Sequence, residues 1–482
     1  MTMPIHPSAP APLNRRRALA ASASAVVAGL LAQPLLADRA RAQAGPAAVS
    51  GGLPAAGAPP QPWQNWSGVQ RAQPRARPLP ADEAELAALL ARSSGEVRVA
   101  GAGHSFSALV PTAGTLVSLD RLSGIVRIDK AAMTATVYAG TRLGALARLL
   151  DAEGLALPNL PDIDAQTLAG AIATGTHGTG AALPAVHDGV VGARLVTPAG
   201  QVVELAGPRD ADALAALRVS LGSLGVVSQL TLRVVPAFNL QRKVWLQPVQ
   251  DLLRDAPALA ARHRHFEMFV LPFTGYAAGV AHEVYQGNDL LLPSSAEDAM
   301  LADLQRLRDW LGRFPALRTW AAQRFIDPQQ TEEARERAHR LLSTVRASRF
   351  NETEWHVPAE NGIACLRQVI DAIHQHNEAF YPIEFRWVRG DGAWLSPFHG
   401  RDSCSIALHA AAGEAYDYIV QIGATICRAH GGRPHWGKMH PLTAAALAPL
   451  YPRWRDFQAL RASFDPQGRM LNAHLRSVFG IA

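Results

Sequence analysis

The chain predicts an α+β fold of two domains, and three observations carry that reading. Short strands recur in hairpins interleaved with helices over residues 63–236, unlike a run of βαβ crossovers. Longer helices alternate with strand-like segments over 237–425, as in an antiparallel sheet covered by helices. At 482 residues the chain exceeds one ordinary core, and the last stretch, 426–482, brings helices of its own that return to the first domain.

Residues 1–44 read as an export signal. The basic cluster Arg15–Arg17 leads into the Ala-rich run Ala18–Ala32, and small residues near Ala42 and Ala44 suit cleavage. The paired arginines, the weakly apolar run and the basic Arg39 and Arg41 favour the twin-arginine export machinery, and so a periplasmic or secreted protein. An uncleaved membrane anchor is the alternative, disfavoured because alanine partitions poorly into lipid. Residues 45–62, rich in Ala, Gly, Pro and Gln, read as a flexible leader.

From Trp63 the pattern is ordered. "ADEAELAALLARS" (81–93) has a helical period and an acidic first turn, and "EVRVA" (96–100) and "TLVSLDRL" (115–122) are strands. Residues 124–140 read as a hairpin, and the helix over 141–154 closes on Gly154. A Gly/Thr-rich loop region fills 157–180. A hairpin around the "TPAG" turn at 197–200, a helix from Asp210 to Ser220 and a strand over 225–235 complete the first domain. In the second, helices are expected at Ser295–Trp310, Thr331–Val345 and Ile363–Asn377, and strands at 265–273, 351–357, 381–390 and 404–410.

Composition narrows the function. The net charge is +6, but five arginines against Asp38 place +4 of it in residues 1–44, leaving +2 spread over the remainder. That is no footprint for nucleic acid or a membrane surface. Cys365, Cys404 and Cys427 fit neither a disulfide framework nor a zinc motif; one disulfide stays open, with buried free thiols favoured. After residue 40 no apolar run is long enough to span a bilayer.

The strand ending at Ala100 runs into "GAGHSFS". Gly101-Ala102-Gly103 matches half of a dinucleotide fingerprint, and Asp120 sits near the distance for a ribose-binding acid. Position 106 is Phe and no helix opens there, so the Rossmann reading fails. What remains is a Gly-bracketed turn whose N–H groups can form an anion nest for a pyrophosphate. "GAIATGTHGTG" (170–180) repeats the chemistry, with small residues for close backbone approach and hydroxyls as donors. Two such loops point to a large phosphate-bearing cofactor; glycines serving only tight turns are the plainer alternative.

These blocks, with "LPNL", "IEFRWVRGDGAWLSP", "RDSC" and "GGRPHWGKMHPL", resemble the sugar-1,4-lactone oxidase and alditol oxidase group of the vanillyl-alcohol-oxidase-like FAD flavoproteins. The resemblance runs from about Trp63 to the C-terminus, and the "GGRPHW-K" tail sides with the gulono- and arabinono-lactone oxidases. It implies a PCMH-type FAD-binding domain at 63–236, a cap or substrate domain at 237–425 and a returning C-terminal segment at 426–482. It implies that Gly101, Ala102, Gly103, His104, Ser105, Phe106 and Ser107 form the pyrophosphate loop, with FAD bonded covalently to His104. It further sets Pro161, Thr167, Gly170, Ala173, Thr174, Gly175, His177, Gly178, Val227 and His474 around the cofactor. An imidazole beside an electrophilic flavin methyl can attack it; a His104 that only donates a hydrogen bond is the alternative.

Oxidising a carbinol carbon needs a hydride acceptor, a group for the hydroxyl proton, and positive charge near the reduced flavin. Glu384 and Arg386, two apart on a strand, share a face and by spacing read equally as a solvated ion pair. The resemblance assigns Glu384 to substrate hydroxyls and Arg386 to the reduced flavin or a substrate oxygen. Lys438 is one of three lysines, with Lys130 and Lys243, and a compact ammonium there suits a site beside flavin and substrate. His409 and His435 are weaker substrate candidates. His263 and His265, and His374 and His376, lack a metal motif and read as surface histidines; no metal is expected.

The sequence therefore reads as an exported FAD-dependent oxidoreductase acting on a hydroxyl of an aldono-1,4-lactone. An alditol oxidase or dehydrogenase acting on xylitol or sorbitol is the near alternative, and a non-catalytic secreted sugar-binding protein the remote one. The electron acceptor is O₂ or a periplasmic quinone or cytochrome. In the family the residue after "LPNL" lies near the flavin face, and oxidases tend to carry Gly there. Pro161, bulkier and rigid in φ, tips the reading towards a dehydrogenase, unless it merely shapes its loop.

Overall fold

The computed structural model describes residues 62–292, 297–329, 331–344 and 348–482. The signal at 1–44 and the leader up to residue 61 lie outside the described residues. Among those described, no helix is long and apolar enough to cross a membrane.

The first half is built on a five-stranded antiparallel sheet. Its order is Val202–Ala206, Val190–Val196, Val226–Arg233, Thr134–Tyr138 and Ile125–Asp129. In Val226–Arg233 buried residues alternate with partly exposed ones, the period of a half-covered strand. Helix Glu83–Arg92 starts where Asp82 accepts from the Glu85 N–H (2.8 Å) while Glu85 accepts from the Ala81 N–H (2.7 Å). It buries Leu86 and Leu90 against the parallel pair Val97–Ala100 and Thr115–Ser118. Helix Leu143–Ala152 stops at Gly154, whose φ of +73° only glycine adopts freely.

The expected loop at 157–180 contains a helix, Leu168–Thr174. Leu168, Ala171 and Ile172 bury one side of it at helical spacing, a signal too short to stand out among glycines and threonines. The helix expected from Asp210 to Ser220 is shorter, Ala211–Leu217.

The second half is a nine-stranded sheet. Its order is Thr331–Arg337, Asn239–Pro248, Tyr276–Tyr285, His265–Val270, Ile383–Arg389, Ser403–Ala411, Phe350–Pro358 and Arg433–Pro434. The ninth strand, Gly180–Pro184, joins parallel to Ile383–Arg389 and so ties the end of the second Gly-rich loop to this sheet. Register fixes the face that matters: Glu354, Ala407, Glu384 and Phe269 lie in one row, with His356, Ser405, Arg386 and Glu267 in the next. On the opposite face, helix Gly362–Ile373 comes so close that a Cβ at Gly362 would sit 2.5 Å from Cys404 Sγ. All three cysteines are buried and free.

Two expectations fail here. The helix at Thr331–Val345 is an edge strand, Thr331–Arg337, followed by the single turn Ala338–Leu341. "TEEARER" has the composition of a helix, but its even-numbered residues turn inward and pair with Asn239–Trp245, while charges guard the open edge. His265 is no surface residue: it is fully buried, opposite His282 on the neighbouring strand.

The C-terminal stretch packs against the first half. The Val97 N–H donates to the Arg469 carbonyl (2.8 Å), and Asn472 Nδ2 donates to the carbonyls of Ala108 and Pro111 (both 2.8 Å).

Candidate active site

The loop Gly101–Ser107 is clamped from two sides. From the turn between the antiparallel strands Trp63–Gln64 and Arg71–Ala72, the Trp66 N–H donates to the Gly103 carbonyl (2.7 Å), Asn65 Nδ2 to that of Ser105 (3.0 Å) and Gln70 Nε2 to that of Phe106 (2.9 Å). From the C-terminal segment, the Gly437 carbonyl receives the Phe106 N–H (2.7 Å), and that of Trp436 receives Ser107 Oγ–H (2.7 Å). The carbonyls are thus engaged, while the N–H groups of Ala102, Gly103, His104 and Ser105 donate to nothing among the described residues. A Cβ at Gly101 would sit 2.3 Å from Thr167 Oγ1, and Gly103 has φ +72°. Both glycines are geometrically required.

The residues that carry these free N–H groups border a cavity. Gly101, Ala102, Gly103, His104 and Ser105 form one wall, and Thr167, Gly170, Ala173, Thr174 and Val227 form others. Arg98 also lines it, fully buried, donating to the carbonyls of Leu109 (2.8 Å), Leu221 (2.9 Å), Gly222 (3.0 Å) and Met470 (2.5 Å). Burial lowers its pKa to about 10, so it stays cationic at neutral pH. Unsatisfied amides beside a buried cation, with apolar walls of Leu and Val, fit a dinucleotide such as FAD: anionic in the middle, aromatic at the ends. Phe106 and Ser107 turn away from this cavity, Gly175 caps the 168–174 helix in left-handed conformation, and His474 lies near His440 and lines neither cavity.

His104 stacks on Trp66, ring centroids 5.0 Å apart. Burial, then the charges of Lys438 and Arg142, lower its pKa to about 4. Its imidazole is therefore neutral at physiological pH, with a free lone pair.

A second cavity shares the wall residue Gln166 with the first. Pro161, His177, Gly178, Glu384, Arg386, His409, His435 and Lys438 all line it. The Glu384–Arg386 pair is not solvated: both residues are buried and ion-paired, and Arg386 Nε also holds Glu267 at 2.6 Å. Burial pushes the Glu384 carboxyl up to about 8, with Arg386 opposing and Glu267, Asp162 and Glu352 adding to the rise. Burial alone would depress Arg386, but Glu384, Glu267 and Asp162 together raise it well above the ordinary value.

Lys438 pairs with Glu352 and lies 5.1 Å from the Phe106 ring centroid, which brings it beside the Gly101–Ser107 loop. Glu352 is also 3.6 Å from His409 Nε2. Its carboxyl is raised, by burial first and against the pull of Lys438. Glu354 goes the other way: despite burial it is held well below the carboxylate range by His177, whose Nε2 lies 2.8 Å from it. His435 accepts from the Gly437 N–H at Nδ1 (3.0 Å) and is kept neutral by burial, near pKa 3.

Sequence reasoning missed Glu267, Glu352 and Glu354. "NETEWH" carried the signal, since carboxylates two apart on a strand share a face just as Glu384 and Arg386 do. Two sets, His177–Glu354–His435 and Glu352–Glu384–His409, bring three donor atoms within 4.8 Å of one another. In the second, Lys438 already pairs with Glu352, so a cation there would have to compete with an ammonium; in the first, His177 and Glu354 already bond each other.

The family model described as D-arabinono-1,4-lactone oxidase matches residues 230–478, and an FAD binding domain model matches 74–206. The chain is 35% identical to L-gulono-1,4-lactone dehydrogenase of Mycobacterium tuberculosis, covering 87% of this chain and 99% of that one. It is 30% identical to mouse L-gulonolactone oxidase (86% and 98% covered) and 32% identical to an alditol oxidase of Streptomyces sp. (86% and 98%). A solved cholesterol oxidase from Brevibacterium sterolicum shares the fold, with TM-score 0.71 at 15% identity over 87% of this chain and 97% of that one.

Proposed function

Because the chain belongs to the D-arabinono-1,4-lactone oxidase family, we propose that it oxidises a hydroxyl of an aldono-1,4-lactone using Glu384, Arg386 and Lys438. It is an FAD-dependent oxidoreductase of CH–OH groups. The observation that carries the reading is the ion-paired set of buried Glu384, Arg386 and Glu352 with half-buried Glu267 and Lys438 in one cavity, which shares the wall residue Gln166 with the His104 cradle.

FAD, when bound, supplies the acceptor for the hydride that leaves the carbinol carbon. The chain's own task is the hydroxyl proton and the charge that grows on oxygen. Glu384, with a pKa of about 8, is partly ionised near neutral pH and takes that proton on Oε2 while Oε1 stays with Arg386. Arg386, anchored by Glu267, keeps a fixed positive charge beside the oxygen as the proton leaves. Lys438, oriented by Glu352, donates to a lactone oxygen. The burial of Glu384, Arg386 and Glu352 limits the screening of these charges by water.

His104 is the attachment point for the flavin, a role supported by its neutral, half-buried imidazole on the cavity wall. Export by the twin-arginine route rests on Arg15–Arg17 and the Ala-rich run behind them. A quinone or cytochrome acceptor in place of O₂ rests on Pro161, which lines the substrate cavity with its carbonyl held by Ser343 Oγ (2.7 Å).

The test is steady-state turnover of L-gulono-1,4-lactone, D-arabinono-1,4-lactone and xylitol with an artificial acceptor. The reading expects the highest kcat/KM on a lactone. Preference for xylitol moves the chain to the alditol oxidases, and turnover of none overturns the proposal.

A further inference from the structure

Past the catalytic groups the second cavity continues along the sheet, and its far end carries His282, an imidazole whose hydrogen-bonding capacity the protein does not fill. Register sets His265 opposite His282, and His282 opposite Arg242, in one row on the face that bears Glu267. His265 and His282 are 0% and 3% exposed, with ring centroids 5.6 Å apart. Neither ring nitrogen of His265 has a hydrogen-bond partner among the described residues, and His282 has at most a weak bond to the Leu341 carbonyl, which leaves its other nitrogen unpaired. Burial keeps both imidazoles neutral, His265 at about 3, so each offers one donor and one acceptor. Arg242 lies 3.5 Å from Glu332, so its charge is compensated. Arg242 and His282 line the cavity together with Val244, Val280 and Met300.

Buried polar atoms in native proteins are normally paired, and an unpaired one on a cavity wall marks a ligand's place; here that group is His282, with His265 behind it outside the cavity lining. A neutral imidazole and a compensated guanidinium suit hydroxyl groups better than an anion, and the aliphatic walls suit the C–H face of a sugar ring. Distance sets the ligand's size. From Arg386 to His282 is two strands across and two residues along, about 12 Å at ordinary strand spacing and rise. One lactone ring lying against Glu384 and Arg386 does not span it; two linked rings do.

We propose that the Arg242–His282 end is a second sugar subsite, and that the substrate it serves is an aldono-1,4-lactone bearing a glycosyl residue on its exocyclic end. The proposal rests on the lactone-oxidising reading above for the reaction, though the subsite itself is read separately by binding.

The experiment measures kcat/KM of the holoenzyme on L-gulono-1,4-lactone and on its 6-O-glucosyl derivative. Wild type should favour the glucosylated lactone. His282→Leu should lower kcat/KM on that substrate about tenfold, the worth of one or two neutral hydrogen bonds, and leave the bare lactone unchanged. His282→Gln, which keeps a donor and an acceptor, should recover most of the loss. Val244→Phe, which fills the same end, should reproduce it if the leucine variant does not fold. Equal losses on both lactones, or a wild type that favours the bare one, overturn the subsite. Should neither lactone be oxidised, the reaction reading fails, and calorimetric titration of the holoenzyme with isomaltitol decides the subsite alone. Saturable heat that His282→Leu abolishes supports it, and no saturable heat overturns it.

Discussion

Glu384→Gln removes a carboxyl while keeping its shape, and the structure sets what should follow. The folded protein holds the Glu384 proton up to about pH 8, against an ordinary value of 4.5. Between those values the native state binds more protons than the unfolded chain, so stability falls as pH rises through this window. At ~1.36 kcal/mol per pH unit the ceiling on that loss is about 5 kcal/mol, and the attraction of Arg386 is already counted in it. Glutamine neither binds nor releases the proton, so the variant should lose this slope. Arg386 is not stranded, because Glu267 still holds it at 2.6 Å. In catalysis the wild-type rate of flavin reduction should climb as pH passes the Glu384 value. The variant should be slower by ~10²–10³, with that limb flattened. The assay is anaerobic stopped-flow bleaching across roughly pH 6 to 9.5, paired with thermal unfolding over the same range. A variant that reduces at nearly the wild-type rate, or keeps the same pH limb, refutes the assignment of Glu384 as proton acceptor.

Further outcomes follow from the cradle, the export signal and Pro161. Flavin should stay with the polypeptide after acid precipitation and fluoresce in a denaturing gel; His104→Ala should release it, and fluorescence that persists would move the attachment elsewhere, His177 first. Replacing Arg16 and Arg17 with Lys should leave active, flavin-loaded protein in the cytoplasm, whereas unchanged periplasmic activity would show another route. Pro161→Gly should accelerate reoxidation by O₂ in stopped flow, because the ring is bulky, rigid and held through its carbonyl by Ser343. A fast wild-type reaction, or no change in the variant, means Pro161 is not an oxygen gate.

Much of the site was legible in the sequence because its chemistry lies in local patterns. "GAGHS" shows its glycines and histidine side by side, and Glu384 and Arg386 share a face by strand period alone. What sequence pattern could not give was long-range pairing. Glu267 matters because register sets it opposite Arg386, and His265 is buried because His282 and the sheet cover it. Glu352 becomes a lysine partner only when the C-terminal segment brings Lys438 back, 86 residues along the chain. The failed helix at 331–345 has the same cause: charge-rich composition favours a helix, but an open sheet edge beside 239–245 claimed the segment. The short 168–174 helix was hidden by its own function, since the small residues that let a cofactor approach also look like loop.

The central claim is that the site of Glu384, Arg386 and Lys438 oxidises an aldonolactone, and it is tested most directly by mixing purified holoenzyme anaerobically with L-gulono-1,4-lactone and following the flavin absorbance. The account predicts full bleaching in a single exponential whose rate saturates with lactone, independent of any electron acceptor. Absorbance that stays unchanged across a saturating series of gulono- and arabinono-lactone would contradict it.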